Sequence, residues 1–287
     1  MLTVQAIRQK WTIRFPVVLL PGSVMSTLPT DYHSRISIRG KGPAIVLVPG
    51  MDGTGELFYR QIPLLEKSYT VANYALRDEA RNMDVLADDL KRVIEQAAPE
   101  EKRAIVLGES FGGTVALSTA LRHPESVAGL VILNSFPHFD PQFRLRLAIA
   151  GVSVIPWGAM SMVRYTTSLF MHSRHTHRDE LRKFMELTAR STRMGYRNRL
   201  EILKSYDVRE RLRDIRCPAL FIAAEKDHLV PSVQQARLMA ERTPSAKMVV
   251  LSGHGHICLI APDINMCQIL ADWQSGKVAV TNASTAL

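Results

Sequence analysis

Cysteine is scarce in this 287-residue chain: Cys217, Cys258 and Cys267 are its whole complement. An odd number without C-x-x-C spacing offers neither a disulfide framework nor a zinc knuckle. A reducing compartment, the cytoplasm, is therefore expected. Long apolar runs are missing as well. The longest uncharged stretch, Leu147 to Val163, is interrupted by Gly151, Pro156 and Gly158, and it falls short of the roughly 20 apolar residues that a spanning helix needs. The stretch from Phe15 to Met25, preceded by Arg8, Lys10 and Arg14, has the outline of a secretion leader. Pro16 and Pro21 break it, and no A-x-A site follows, so export is not expected.

What is present is an ordinary globular composition, 46% apolar and 22% charged, which argues against extensive disorder. The length suits one large domain with an elaboration. Net charge is +9 and unevenly spread: residues Phe136 to Asp214 carry 15 Lys/Arg against 8 Asp/Glu, leaving 21 against 19 elsewhere. Basicity thus belongs to one segment.

From residue 36 onward short β-branched runs alternate with amphipathic stretches, the pattern of a mostly parallel sheet with crossover helices. Strands are expected at Ile36–Arg39, Ala44–Val48, Thr70–Leu76, Ala104–Leu107, Gly129–Leu133, Ala219–Ala223 and Lys247–Leu251. Several are apolar almost throughout, as strands covered on both faces should be. Helices are expected at Leu57–Glu66, Asp84–Ala97, Thr114–Arg122, Val233–Glu241 and Ile264–Trp273. The alternation stops after Asn134 and resumes at Cys217. The intervening segment is helix-like, Met-rich and basic, and too long for a connection. The expected organisation is an α/β core from residues 36–135 and 215–287, a helical cap at 136–214, and a leader or added strand at 1–35. Within that last part, Val17 to Gly22 echoes Ile45 to Gly50, too briefly to be a repeat architecture.

Chemistry first shows at Gly108-Glu109-Ser110-Phe111-Gly112-Gly113, which lies between a strand and a helix. G-x-S-x-G in that setting holds a serine on a sharp turn above the carboxyl edge of the sheet. The glycines give space where strand and helix pass closely. A helix N-terminus behind the serine offers free N–H groups and positive potential, which favour attack on a carbonyl. A serine hydroxyl is a poor nucleophile without a base, so a histidine and an orienting carboxylate are expected later in the chain, carboxylate first.

The strand ending at Ala223 is followed by Glu225-Lys226-Asp227-His228-Leu229-Val230-Pro231. Asp227 is taken as the acid, with Glu225 its rival. The loop after the preceding strand carries Asn134, which has no negative charge to offer. The last strand leads into Leu251-Ser252-Gly253-His254-Gly255-His256-Ile257. His256 at the loop tip is taken as the base and His254 as the alternative, because only one imidazole can stand between acid and nucleophile.

An acyl-transfer intermediate also needs two N–H donors for its oxyanion. Phe111 supplies one from the position after the serine. The glycine-bearing loop Val48-Pro49-Gly50-Met51-Asp52-Gly53-Thr54-Gly55 supplies the other, assigned to Met51. A phosphate-cradling reading of this loop is disfavoured, since there is no G-x-x-x-x-G-K-[ST] and the glycine order is wrong for a dinucleotide site. No cofactor is expected.

These residues together resemble the α/β-hydrolase superfamily over about residues 36 to 275. Gly108 to Gly112 looks like its nucleophile elbow, Asp227-His228-Leu229-Val230-Pro231 like its acid loop, and Gly255-His256 like its histidine loop. The insert at 136–214 falls where that family carries its cap. Pro49-Gly50 stands where many members have His-Gly. The form Pro-Gly-Met-Asp-Gly-Thr-Gly is similar to a subgroup of bacterial hydrolases and plant-type acyltransferase relatives. Serine at position 110 sets the chain apart from the dehalogenases and epoxide hydrolases of this fold, which use aspartate. The resemblance implies ester hydrolysis through an acyl-enzyme. Acyl transfer to an alcohol or peroxide with the same three residues is the alternative, and a non-enzymatic binding protein that retains the fold is another.

In the insert, Phe143, Leu145, Leu147, Ile149, Val152, Val154, Ile155, Trp157, Met160, Met162, Phe170 and Met171 are suited to cover an apolar acyl group or to form the insert's own core. His172, His175 and His177 cluster without a carboxylate or cysteine to complete a ligand set, so no metal is expected. That stretch, with Arg174 and Arg178, reads as solvated, while Arg190, Arg193, Arg197 and Arg199 are able to draw an anionic substrate or to give weak membrane-surface association. The segment lacks the run of aromatic residues that stacks on bases, so nucleic acid is not an expected partner.

Overall fold

The computed structural model describes residues 36–140, 142–159, 162, 165 and 178–277. Residues 1–35, with the Val17 to Gly22 echo, lie outside these, as do Met160, Phe170, Met171, His172, His175 and His177. Seven strands form one sheet: β1 (Ile36–Arg39), β2 (Ala44–Val48), β3 (Thr70–Tyr74), β4 (Ala104–Glu109), β5 (Val127–Leu133), β6 (Ala219–Ala224) and β7 (Ala246–Leu251). Their spatial order is β1-β3-β2-β4-β5-β6-β7. Only β1 runs antiparallel, pairing Ile36 with Tyr74 and Arg39 with Val71.

Strand alternation splits the core into two layers. In β2, Ile45 and Leu47 face Phe58, Leu65 and Leu270. Val46 and Val48 face Leu86, Leu90 and Val115. The second layer is made by α2 (Met83–Ala97) and α3 (Phe111–Arg122), together with α7 (Ser232–Arg242). The first is made by the short α1 (Ile62–Leu65) and by α8 (Met266–Gln274). Caps fix two of these helices: the Asn82 side chain accepts from Val85 N–H at 3.0 Å and that of Asn265 from Gln268 N–H at 3.1 Å.

The helix expected over Leu57–Glu66 is instead a 3₁₀ turn, Glu56–Arg60, followed by α1. Pro63 lies in the first turn of α1, where its missing N–H is harmless, but it ends any helix running through from residue 57. Strand ends differ from the sequence reading by at most two residues.

Between β5 and β6 the insert contributes α4 (Gln142–Val154), α5 (Arg178–Thr188) and α6 (Arg193–Leu203). Leu145, Ile149 and Val152 of α4 join Leu200, Ile202 and Leu203 of α6 in the layer that contains α2 and α3. Phe143, Leu147, Val154 and Met162, also counted by sequence among the apolar lining, are exposed. Arg199, counted by sequence among the charges that draw an anionic partner, is 1% exposed and is paired with Asp78 inside the protein.

Strand order explains where a site can form. The chain leaves β2 for β3 on one side and returns to β4 on the other, so the carboxyl ends of β2 and β4 flank a crevice. The loops after these two strands carry Met51 and Ser110.

Candidate active site

Ser110 is the single residue between β4 and α3, and its backbone lies at φ 53°, ψ −120°. A non-glycine residue tolerates a positive φ only under tertiary constraint. Here Ser110 N–H donates to Leu133 O at 2.9 Å, and Gly113 N–H returns to Ser110 O at 3.0 Å. Closeness does the rest. A Cβ on Gly112 would stand 2.1 Å from Val48 O, and one on Gly108 would stand 2.4 Å from Gly112 O. Both contacts are with backbone that cannot step aside. The first amides of α3, beginning with Phe111, have no acceptor one turn back in their own helix.

His256 lies in the loop between β7 and α8 and is 2% exposed. Its Nε2 is 3.0 Å from Ser110 Oγ, and its Nδ1 is 2.7 Å from Asp227 Oδ2. Asp227, after β6, is held by three further donors: Leu229 N–H at 2.9 Å and Val230 N–H at 3.0 Å on Oδ1, and the Ser232 hydroxyl on Oδ2. Burial works to raise the Asp227 carboxyl, but the His256 charge and these hydrogen bonds bring it below the ordinary value. For His256, burial disfavours the imidazolium, yet the charge and hydrogen bond of Asp227, with help from Glu109, leave it above the ordinary value. An ionised carboxylate thus fixes the proton on Nδ1 and leaves Nε2 facing the serine hydroxyl.

The rival residues stand elsewhere. His254 Nε2 is 3.3 Å from Asp263. Glu225 is bound outside the crevice by the Ser252 hydroxyl and Gly253 N–H, each at 2.8 Å, and with Lys226 these hold its carboxyl down at about 2. Asn134 is a clamp: its Nδ2 donates to His256 O at 2.7 Å and its Oδ1 accepts from Ala224 N–H at 2.7 Å. An amide can do both where a carboxylate could not.

Met51 lies in the loop after β2, partly buried against the core. Gly53 N–H donates to Gly50 O at 3.1 Å, closing a turn around it. Two polar features here were not read from the sequence. Glu109, the variable position of the serine motif, is buried with Oε1 3.9 Å from His256 Nε2. Burial raises its carboxyl to about 7. Arg199 and Asp78 meet beside Gly53. No local spacing announces either one. Among the described residues, no group of three His, Cys, Asp or Glu is placed to hold a metal, and no helix is long and apolar enough to cross a membrane.

Comparison with known proteins agrees with this architecture. A family model described as the alpha/beta hydrolase fold matches residues 43–261. The chain belongs to the α/β hydrolase fold family. It is 31% identical over 230 residues to the putative carbamate hydrolase RutD of Escherichia coli O157:H7, covering 75% of this chain and 85% of that protein. Among solved structures, the enol-lactonase of Burkholderia xenovorans LB400 superposes with a TM-score of 0.73 at 19% identity, covering 84% of this chain and 95% of that one. An esterase from Exiguobacterium antarcticum gives 0.74 at 19% identity, covering 84% and 94%. The two structures share the fold. Family and curated relatives together support hydrolytic activity for this member.

Proposed function

We propose that this α/β hydrolase cleaves carboxylic esters through an acyl-enzyme on Ser110. The observation that carries the reading is the chain of contacts from Ser110 Oγ to His256 Nε2 at 3.0 Å and from His256 Nδ1 to Asp227 Oδ2 at 2.7 Å. Ser110 Oγ attacks the ester carbonyl while His256 Nε2 takes its proton. The imidazolium so formed is stabilised by Asp227, which stays ionised. The carbonyl oxygen becomes an oxyanion held by the N–H groups of Met51 and Phe111. The tetrahedral intermediate collapses, the ester C–O bond breaks, and Nε2 returns the proton to the leaving alcohol. Water then repeats the sequence on the acyl-enzyme and releases the acid. In this reading residues 136–214 act as the cap over the acyl group.

Turnover of short p-nitrophenyl esters, with a fluorophosphonate label on Ser110, is the expected outcome. Ser110→Ala should lower kcat by at least about 10³-fold. Unchanged turnover in that variant would remove Ser110 from the mechanism.

A second reading follows from the 31% identity to a putative carbamate hydrolase. The same three residues would open a carbamate carbonyl, with ammonia or an amine as the leaving group protonated by His256. Ammonia release from a simple carbamate, measured beside ester turnover, separates the two. Product ratios with a competing alcohol test transfer: the new ester in excess over free acid would make the protein an acyltransferase.

A further inference from the structure

Arg199 is the largest of the fully buried side chains, and it reaches the site from the insert. Its Nη2 donates to Asp78 Oδ1 at 2.6 Å, while Nη1 donates to Met51 O at 3.2 Å and to Asp52 O at 3.4 Å. Asp78 lies in the loop after β3 and is itself bound to α6: the Thr192 hydroxyl donates to its Oδ2 at 2.8 Å, and Asn198 Nδ2 donates to its carbonyl at 2.8 Å. Two glycines make room. A Cβ on Gly53, whose φ is +71°, would stand 2.0 Å from Arg199 Nη2, and one on Gly195 would stand 2.0 Å from Asp78 Oδ1. The guanidinium therefore meets the loop backbone with no side chain between. Among the described residues its Nε has no acceptor, so the buried fork is held through its two terminal nitrogens.

We propose that Arg199 is a positioning residue for the oxyanion site: from helix α6 it locks the Met51 carbonyl and thereby fixes the direction of the Met51 amide. The geometry follows from peptide planarity. Gly53 N–H holds Gly50 O, which orients the plane containing Met51 N–H. Arg199 holds the next plane through Met51 O, so both dihedrals of Met51 are constrained. Because the guanidinium belongs to α6, any displacement of the insert is carried to the Met51 amide, which couples the insert's position to catalysis. The inference rests on the assignment of Met51 as an oxyanion donor above.

The test uses the full chain with Arg199→Lys and Arg199→Met, each assayed on a p-nitrophenyl ester with kcat expressed per Ser110 titrated by fluorophosphonate. Arg199→Met should lower kcat per titrated site about 10- to 100-fold with KM within about threefold, since an oxyanion donor acts on the transition state. Arg199→Lys should recover part of that loss, because the charge remains while the fork does not. Unchanged kcat per titrated site in whichever variant folds, or a loss confined to KM, would overturn the proposal. Failure of both variants to fold would make Arg199 a stability residue and overturn it too. A wild-type chain that leaves Ser110 unlabelled would show instead that the serine reading had failed.

Discussion

At the scale of single residues, Glu109 makes stability depend on pH. Its carboxyl, buried beside His256, Asp52 and Asp227, is raised from 4.5 to about 7. The folded chain therefore holds this proton where the unfolded chain has lost it. Its contribution to stability is complete below pH 4.5 and is lost as pH rises to about 7, a difference of about 3 kcal/mol. Glu109→Gln should remove that dependence. Urea unfolding at pH 5 and pH 8 should show the variant gaining on wild type at the higher pH, and an equal difference at both would contradict the burial argument. His256 should respond as well. Once ionised, near pH 7 and above, Glu109 is one of two carboxylates that raise its imidazolium, so the upper part of the rising limb of kcat/KM, which requires neutral His256, should move to lower pH in Glu109→Gln.

At the scale of elements, the loops after β4, β6 and β7 must meet, and Asn134 at the end of β5 ties the last residue of β6 to the loop after β7. Asn134→Ala would strand Ala224 N–H and His256 C=O, both now bonded to the amide. It would also put alanine at φ 48°. A loss of about 2 to 4 kcal/mol is expected by denaturant titration. A loss below about 1 kcal/mol would mean that water replaces the clamp. This residue also marks where sequence reading stopped. That Ser110, Asp227 and His256 meet was legible because each sits in a short loop whose glycines or prolines follow an apolar run, and strand order then brings the loops together. Asn134 could be read only as a missing charge, since its role is to bond groups 90 and 122 residues away. Glu109 fills a variable position, and Arg199 lies among other arginines of a basic segment. Each takes its importance from burial, which composition does not report. Gly53 and Gly195 were the available traces of Arg199, but a glycine shows that space is needed and not what fills it.

At the scale of the whole molecule, charge separates from catalysis. The α/β core is nearly balanced while residues 136–214 hold the basic excess, and that segment is joined to the β2 and β3 loops through Arg199. Part of the excess is neutralised by the core, as at Arg190 with Glu56 and Arg199 with Asp78. The remainder is expected to act as a positive field on an incoming anion, and such a field acts on approach more than on bound geometry. An ester bearing a carboxylate on its acyl part should therefore show kcat/KM falling several-fold as ionic strength rises from about 10 mM to about 300 mM, where the Debye length shrinks from about 30 Å to below 8 Å. A neutral ester of the same length should change little, and kcat for both should hold steady. Parallel curves for the two esters would confine the basic excess to solvation of the insert. A decline seen only with the anionic ester would make substrate charge a property selected by residues 136–214, independent of the Ser110 chemistry beneath them.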